Sequence, residues 1–173
     1  RFYMAGLAAK AYACLFLMIT GATPTEFAQF SYADGLDVEK SPIKKELSAV
    51  KFRAGGKSTL YNIGRDTGLP LLKQYLKLRE WILNGVAHER LFFSMPEISQ
   101  PKNRKKVFAE LNVSGVIRKL HDVISGTFLD STVPRLTPRK MRKNKSNGMH
   151  SARVSPSTVA ASLNHTTAVN LST

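Results

Sequence analysis

The sequence is poor in the residues that build disulfides and cysteine-based metal sites. Its 173 residues include one cysteine, Cys14, which lies inside an apolar run. One cysteine can form neither an internal disulfide nor a cysteine-based zinc site within this chain. The histidines have no recognisable ligand spacing, so we expect no metal and no cofactor. Such cysteine usage is typical of a reducing compartment.

Long hydrophobic runs are also lacking. The longest, AYACLFLMI at positions 11–19, is too short to cross a bilayer and predicts no membrane partner. The chain begins at Arg1 without methionine or a signal sequence, so we expect a soluble piece of a longer protein.

Acidic residues are scarce beside basic ones. The chain has 26 lysines and arginines against 12 acids, a net charge of +14, and residues 101–153 hold 13 of the basic residues and three of the acids. This excess favours a polyanionic partner, with nucleic acid first. A hydrophobic content of 43% with 22% charged residues is typical of a globular chain, and the length predicts a single domain over residues 1–173.

Periodicity and capping signals predict a mainly α fold with one small antiparallel sheet. A core helix is expected from Phe2 to Thr20-Gly21, and a second, carrying Phe27, Phe30 and Tyr32, is expected from Thr23-Pro24. From Asp37 to Gly64 the pattern becomes extended. The remaining predictions are a hairpin of LSAVKFR and STLYNI, helices over 70–83 and 114–124, a short buried strand RLFFSM, a helix from Thr137-Pro138 into the 150s, and another from Ser155-Pro156.

The stretch AGGKST, at positions 54–59, is similar to the end of a phosphate-binding loop. That motif needs a glycine where Lys51 stands and a helix after its lysine, whereas a strand-like segment follows here. We therefore interpret it as a hairpin turn whose glycines supply positive φ angles. Lys57 at its tip, flanked by Arg53, could reach a DNA phosphate.

The stretch LTPRKMRKNK, at positions 136–145, is strongly basic and free of acids. On a helix, Arg139, Arg142 and Lys143 would share one face, because neighbours three and four apart lie together. Lys140 and Lys145 add further positive charge for DNA binding. The alternative is a solvated basic face that attracts DNA without positioning any particular phosphate.

Taken in order, these segments resemble the catalytic domain of the tyrosine recombinase, or phage integrase, family. ITGATPTEFAQF is similar to the segment around that family's first catalytic arginine, and KFRAGGKSTLYNI to the hairpin with its lysine. LTPRKMRKNK is similar to its His-x-x-Arg helix, and SLNHTTAVNLST to the segment leading to its nucleophilic tyrosine.

The resemblance implies DNA strand cleavage and rejoining through a phosphotyrosyl intermediate, without a metal ion. Arginines would neutralise the charge that grows on the phosphoryl oxygens, and a lysine would protonate the leaving oxygen. It places the second arginine at Arg142 and the later histidine at His165, and Lys57 is the candidate lysine. It also implies duplex DNA as partner, a homo-oligomer on DNA, and a location in the bacterial cytoplasm or nucleoid.

This chain departs from the family pattern at several catalytic positions. Thr23 stands at the place of the first arginine, and Arg139 replaces the first histidine of His-x-x-Arg, where it could donate to a phosphate but could not act as a base. Lys145 stands where the family has a core aromatic. The nucleophilic tyrosine is expected beyond Thr173, and a DNA-clamping domain before Arg1.

Three interpretations follow from the sequence. The first is the recombinase catalytic domain, and the second is a catalytically inactive DNA-binding relative that supports a partner recombinase. The third is a basic RNA-binding or protein-interaction domain of another fold. Region 101–153 contains only Phe108 and Phe128 as aromatic residues, and this weakens the RNA alternative because single-stranded RNA sites stack bases on aromatics.

Overall fold

The computed structural model describes residues 2–52, 55–95, 108–125, 135–152, 155 and 157–158. The fold of these residues is mainly helical, with one two-stranded antiparallel sheet. The elements are α1 (Phe2–Thr20), α2 (Pro24–Phe27), α3 (Tyr32–Lys40), β1 (Glu46–Lys51), β2 (Lys57–Asn62), a π-helical turn (Gly64–Gly68), α4 (Leu69–Leu83), α5 (Val113–Ser125) and α6 (Pro138–Ser151).

Helix α1 is the central helix, since α4, α5 and α6 all pack against it. It ends as predicted at Thr20, where Gly21 adopts a φ of 62° that favours glycine. The sequence-based expectation considered only the apolar run at positions 11–19. The 19-residue helix contains an 18-residue segment with a mean hydropathy of 1.7, so it is long and apolar enough to span a bilayer by length and composition alone. Its C-terminal half buries Ala13, Phe16 and Leu17, as expected of a core helix.

The capping box predicted at Thr23 is present. The Thr23 hydroxyl accepts from the Glu26 N–H at 3.4 Å, while the Glu26 carboxylate accepts from the Thr23 N–H at 3.2 Å. The predicted single helix through Tyr32 is wrong, however, because α2 ends at Phe27. Ser31 caps a new helix, α3, by accepting from the Asp34 N–H at 3.0 Å.

The predicted change to extended structure at Asp37 is placed too early. Helix α3 continues to Lys40, with Gly35 and Val38 buried. Gly35 lies against Leu91, so closely that an added Cβ would come within 2.8 Å of a Leu91 methyl. Tertiary packing of this face therefore extends the helix beyond the point that the local pattern indicated.

The predicted hairpin is confirmed. Strands β1 and β2 pair antiparallel with Leu47 opposite Tyr61 and Lys51 opposite Lys57. Leu47 and Tyr61 are fully buried, so this face points to the core and its opposite face to solvent. Gly55 and Gly56 take left-handed φ angles of 70° and 74° in the turn, as the glycine prediction required.

Helix α4 confirms the amphipathic segment predicted over 70–83. It ends at Asn84, which adopts a left-handed conformation with φ 44° before Gly85. The strand predicted for RLFFSM does not form a ladder among the described residues. Leu91 and Phe92 are buried as expected, but the segment makes only isolated bridges, between Ser31 and Arg90 and between Ser94 and Ala109.

Aromatic rings connect the helices through the core. Phe92 stacks on Phe27 at 4.7 Å between ring centroids and on Tyr75 at 4.8 Å, and it lies 5.4 Å from Phe16. The α1, α2 and α4 elements are thus joined through one side chain of the RLFFSM segment. The predicted helices α5 and α6 are confirmed, while the helix predicted from Ser155-Pro156 falls largely outside the described residues.

Candidate nucleic-acid interface

The candidate site begins at the turn between α1 and α2, residues 20–26. The Thr20 hydroxyl donates to the Phe16 carbonyl at 2.7 Å and accepts from the Ala22 N–H at 3.3 Å, so the turn is tied back onto α1. Thr23, which stands where the resemblance expects an arginine, uses its hydroxyl to cap α2. Within the turn itself, positions 20–26 contain no basic residue.

Glu26 is the buried anion of this turn, with 5% of its surface exposed. Its carboxylate accepts a short hydrogen bond from the hydroxyl of Tyr61 on β2, as well as the Thr23 N–H. Burial raises the pKa of Glu26, but these hydrogen bonds and the positive charge of Arg142 outweigh burial, so the pKa is lowered overall. Glu26 is therefore ionised near neutral pH.

Arg142 reaches this cluster from α6. It is half-buried, and its charge acts on both Glu26 and Tyr61. Burial and the bond to Glu26 raise the Tyr61 pKa despite the opposing effect of Arg142. The phenol thus stays protonated and donates to Glu26. We name Glu26, Tyr61 and Arg142 the anchored-arginine cluster, since the charge of Arg142 on α6 acts on both the Glu26 carboxylate of α2 and the Tyr61 phenol of β2.

Lys145 lies one turn after Arg142 on α6, so the two side chains point to similar sides of the helix. Its ammonium donates to the Thr20 carbonyl at 2.9 Å, at the C-terminus of α1. Burial, with a smaller contribution from the charge of Arg142, lowers the pKa of Lys145 to about 8. Where the resemblance expects a core aromatic, the structure has a lysine whose acceptor is a carbonyl at a helix C-terminus, where carbonyls lack intrahelical partners.

The other cations of α6 face solvent. Arg139, Lys140 and Lys143 are exposed, whereas Arg142 is half-buried. Arg142 lies on the side of the basic face that adjoins the core-facing stripe with the buried Met141, so it is half-buried while Arg139 and Lys143 are exposed. α6 thus presents one anchored arginine beside an exposed basic face.

The hairpin places Lys57 and Lys51 as cross-strand partners beside the turn. Residues two apart on a strand share a face, so Lys57 extends the face of β2 that contains Tyr61, about 13 Å along the strand from it. Lys57 is exposed at the first position of β2. The basic side chains therefore lie in two places, Arg142 and Lys145 on α6 and Lys51 and Lys57 at the hairpin tip, rather than in one compact group.

Two predicted site residues, Arg53 and His165, lie outside the described residues. Sequence reasoning identified Glu26 as a capping residue but missed its contact with Tyr61 and its charge interaction with Arg142. The alternation of β2 was the available signal for Tyr61, because it predicts an inward side chain. Among the described residues, no group of three or more histidine, cysteine or acidic side chains is arranged to hold a metal ion.

Comparison of the chain with protein-family models, with curated proteins and with solved structures finds no significant match. Interpretation of this surface therefore depends on the motifs quoted above and on the geometry of the described residues.

Proposed function

We propose that this chain is the DNA-binding catalytic domain of a tyrosine recombinase. The observation that carries the proposal is the anchored-arginine cluster, in which the charge of Arg142 acts on the buried Glu26 carboxylate. Arg142 belongs to α6, and the exposed side of that helix is basic. A guanidinium that is already oriented by an interaction within the protein loses less conformational entropy when it binds a phosphate. Its planar donors also match the geometry of phosphate oxygens.

In this proposal, Arg142 binds the non-bridging oxygens of one DNA phosphate and neutralises the charge that grows on them during transesterification. Lys57 protonates the leaving 5′-oxygen, with His165 as a further donor. Because Lys57 lies apart from Arg142 in the structure, this role requires the hairpin tip to move towards the phosphate that Arg142 binds. Arg139, Lys140 and Lys143 bind flanking phosphates of the duplex, and Lys145 supports the site from the inner side of α6. The reaction needs no metal ion, and recombination proceeds in a homo-oligomer on DNA in the bacterial cytoplasm.

The tyrosines of the described core do not supply the nucleophile of this mechanism. Tyr61 is fully buried and donates to Glu26, while Tyr75 is 2% exposed and donates to the Leu91 carbonyl at 2.9 Å. Burial raises the pKa of both phenols. Neither hydroxyl is accessible to a DNA phosphate, and the proposal assigns attack to the tyrosine expected beyond Thr173.

The DNA-binding part is tested by measuring the affinity of Arg142→Gln for duplex DNA. We expect a loss of about tenfold, within the roughly 1–3 kcal/mol of a charged hydrogen bond, because the anchored donor is removed. Lys73→Gln is the matched control, since Lys73 is an exposed cation on α4. Equal losses in the two variants would show that Arg142 acts only through net charge and would contradict the proposed phosphate site.

A second candidate function, a catalytically inactive DNA-binding relative, is favoured by Thr23. Its hydroxyl is engaged in capping α2, and loss of one preorganised donor costs about 100- to 1000-fold in rate. The two candidates differ in whether they form a covalent protein–DNA adduct. A recombinase isolated from its host under denaturing conditions carries attached DNA. An inactive relative carries none, and its Thr23→Arg variant restores the adduct if the missing arginine is the cause.

A further inference from the structure

Two cations of helix α6 act on the turn between α1 and α2. At one end, Lys145 donates to the Thr20 carbonyl at 2.9 Å; at the other, the charge of Arg142 acts on Glu26. The two cations are three residues apart, close to one helical turn. The turn that they hold begins at Thr20, the last residue of α1, and reaches into α2.

We propose that Lys145 is a positioning residue of the DNA-phosphate site: by binding the C-terminus of α1, it fixes the rotation and depth of α6 and so orients Arg142. This inference rests on the proposed function. Lys145 itself does not contact the phosphate. It fixes the position of α6 relative to the turn between α1 and α2.

The chemistry of the contact supports this role. The last carbonyls of a helix lack intrahelical partners and form the negative end of its dipole, so a cation there satisfies an acceptor and gains electrostatically. Burial and the nearby Arg142 charge oppose the protonated form, and the Lys145 pKa of about 8 reflects that balance. The contact therefore weakens when the ammonium loses its proton, just above neutral pH.

In the described part of the chain, Arg142 on the same helix acts on Lys145, and Glu46 of β1 lines the same open groove. The groove residues from α1, β2 and the π-helical turn are uncharged. These uncharged residues are Met18, Ile19, Leu60, Asn62, Gly64 and Thr67.

The test measures affinity for a 20-base-pair duplex at constant ionic strength between pH 7.5 and 9.5, a range in which histidines of ordinary pKa are largely neutral. Wild-type affinity should fall by roughly 3- to 10-fold as Lys145 deprotonates, because a less well oriented Arg142 loses part of its charged hydrogen bonding to the phosphate. Lys145→Arg should keep its affinity across this range, because a guanidinium stays protonated. Lys145→Met should bind weakly throughout, without the pH dependence.

Lys143→Met is the matched control, since it removes an exposed cation from the same helix. It should lose affinity to a similar extent at every pH, because one phosphate contact is removed, and keep the wild-type pH profile. If Lys145→Met shows the wild-type profile, or Lys143→Met abolishes it, the positioning role is wrong. Thermal unfolding of each variant identifies any that fail to fold, and Lys145→Arg supplies a folded comparison for them.

A second readout separates this inference from the proposed function. Amide hydrogen exchange over residues 22–29, measured without DNA at pH 7, should be faster in Lys145→Met than in Lys145→Arg, because the turn is released. Equal exchange overturns the inference. If the wild-type protein shows no salt-dependent DNA binding, the proposed function fails, and exchange still decides whether Lys145 holds the turn.

Discussion

At the scale of single residues, Glu26 joins local structure to the candidate site. Its carboxylate closes the capping box of α2, accepts from Tyr61 and balances part of the charge of Arg142. A buried pair of this kind adds little net stability compared with an apolar alternative, but removal of one partner leaves an uncompensated charge. Glu26 therefore matters more for how Arg142 is held than for the strength of the core.

We expect Glu26→Gln to destabilise the fold by about 2–4 kcal/mol at pH 7 in urea unfolding, because Arg142 loses its counter-charge. The folded-state pKa of Glu26 is lowered, so its stabilisation is fully present above the unfolded value near 4.5 and is lost as the pH falls through the folded value. The variant and wild type should thus converge in acid. Glu110→Gln, at an exposed carboxylate, should show no such difference.

Among the residues that the structure describes, Arg79 is the other buried charge, only 2% exposed. Its guanidinium donates to the carbonyls of His88 at 2.6 Å, Arg90 at 2.9 Å and Leu91 at 3.3 Å, and it lies 3.7 Å above the Tyr32 ring. It ties the 88–91 segment to α4 and α3.

Arg79→Lys should cost about 3 kcal/mol in the free energy of unfolding, because one ammonium cannot satisfy three carbonyls in this planar arrangement. Lys77→Arg, an exposed position of the same helix, should be neutral. Denaturant midpoints measure both. A cost below 1 kcal/mol for Arg79→Lys would show that the carbonyls find other donors.

At the scale of elements, local signals predicted most of the fold. Some signals depend only on residues that are adjacent in sequence, so they can be predicted from it. They are the helix start at Thr23-Pro24, the turn at Gly55-Gly56 and the helix end at Asn84-Gly85. The break between α2 and α3 and the isolated bridges of the RLFFSM segment depend on partners distant in sequence. The role of Lys145 in the candidate site could not be predicted from local signals for the same reason, because its acceptor, the Thr20 carbonyl, lies 125 residues away in sequence.

The hairpin permits a test of its own. Lys57→Gln removes an exposed cation beside the turn and leaves the pairing of β1 and β2 intact. If the hairpin contacts a DNA phosphate, the variant should reduce the slope of log affinity against log salt by about one and leave thermal stability unchanged. Lys40→Gln, an exposed cation at the end of α3, should leave the slope near the wild-type value.

At the scale of the whole molecule, the net charge of +14 draws the protein to any polyanion, and this attraction alone cannot position DNA. The structure divides the basic residues of α6 into two groups. Arg142 and Lys145 are half-buried, and Lys145 donates to a backbone carbonyl, while Arg139, Lys140 and Lys143 extend from the solvent side of the same helix. Whether DNA docks on α6 depends on the second group.

Two triple variants of equal net charge test whether DNA docks on α6. We expect replacement of Arg139, Lys140 and Lys143 by glutamine to reduce the salt slope by about three, since each cation releases roughly one counterion when it binds a phosphate. Replacement of Lys40, Lys73 and Lys77, all exposed on α3 and α4, removes the same charge and should change the slope by less than one. Titrations between 50 and 200 mM salt measure both. Equal reductions would mean that DNA is attracted by the whole surface without a defined docking face, because charge at α6 would then act no differently from charge elsewhere.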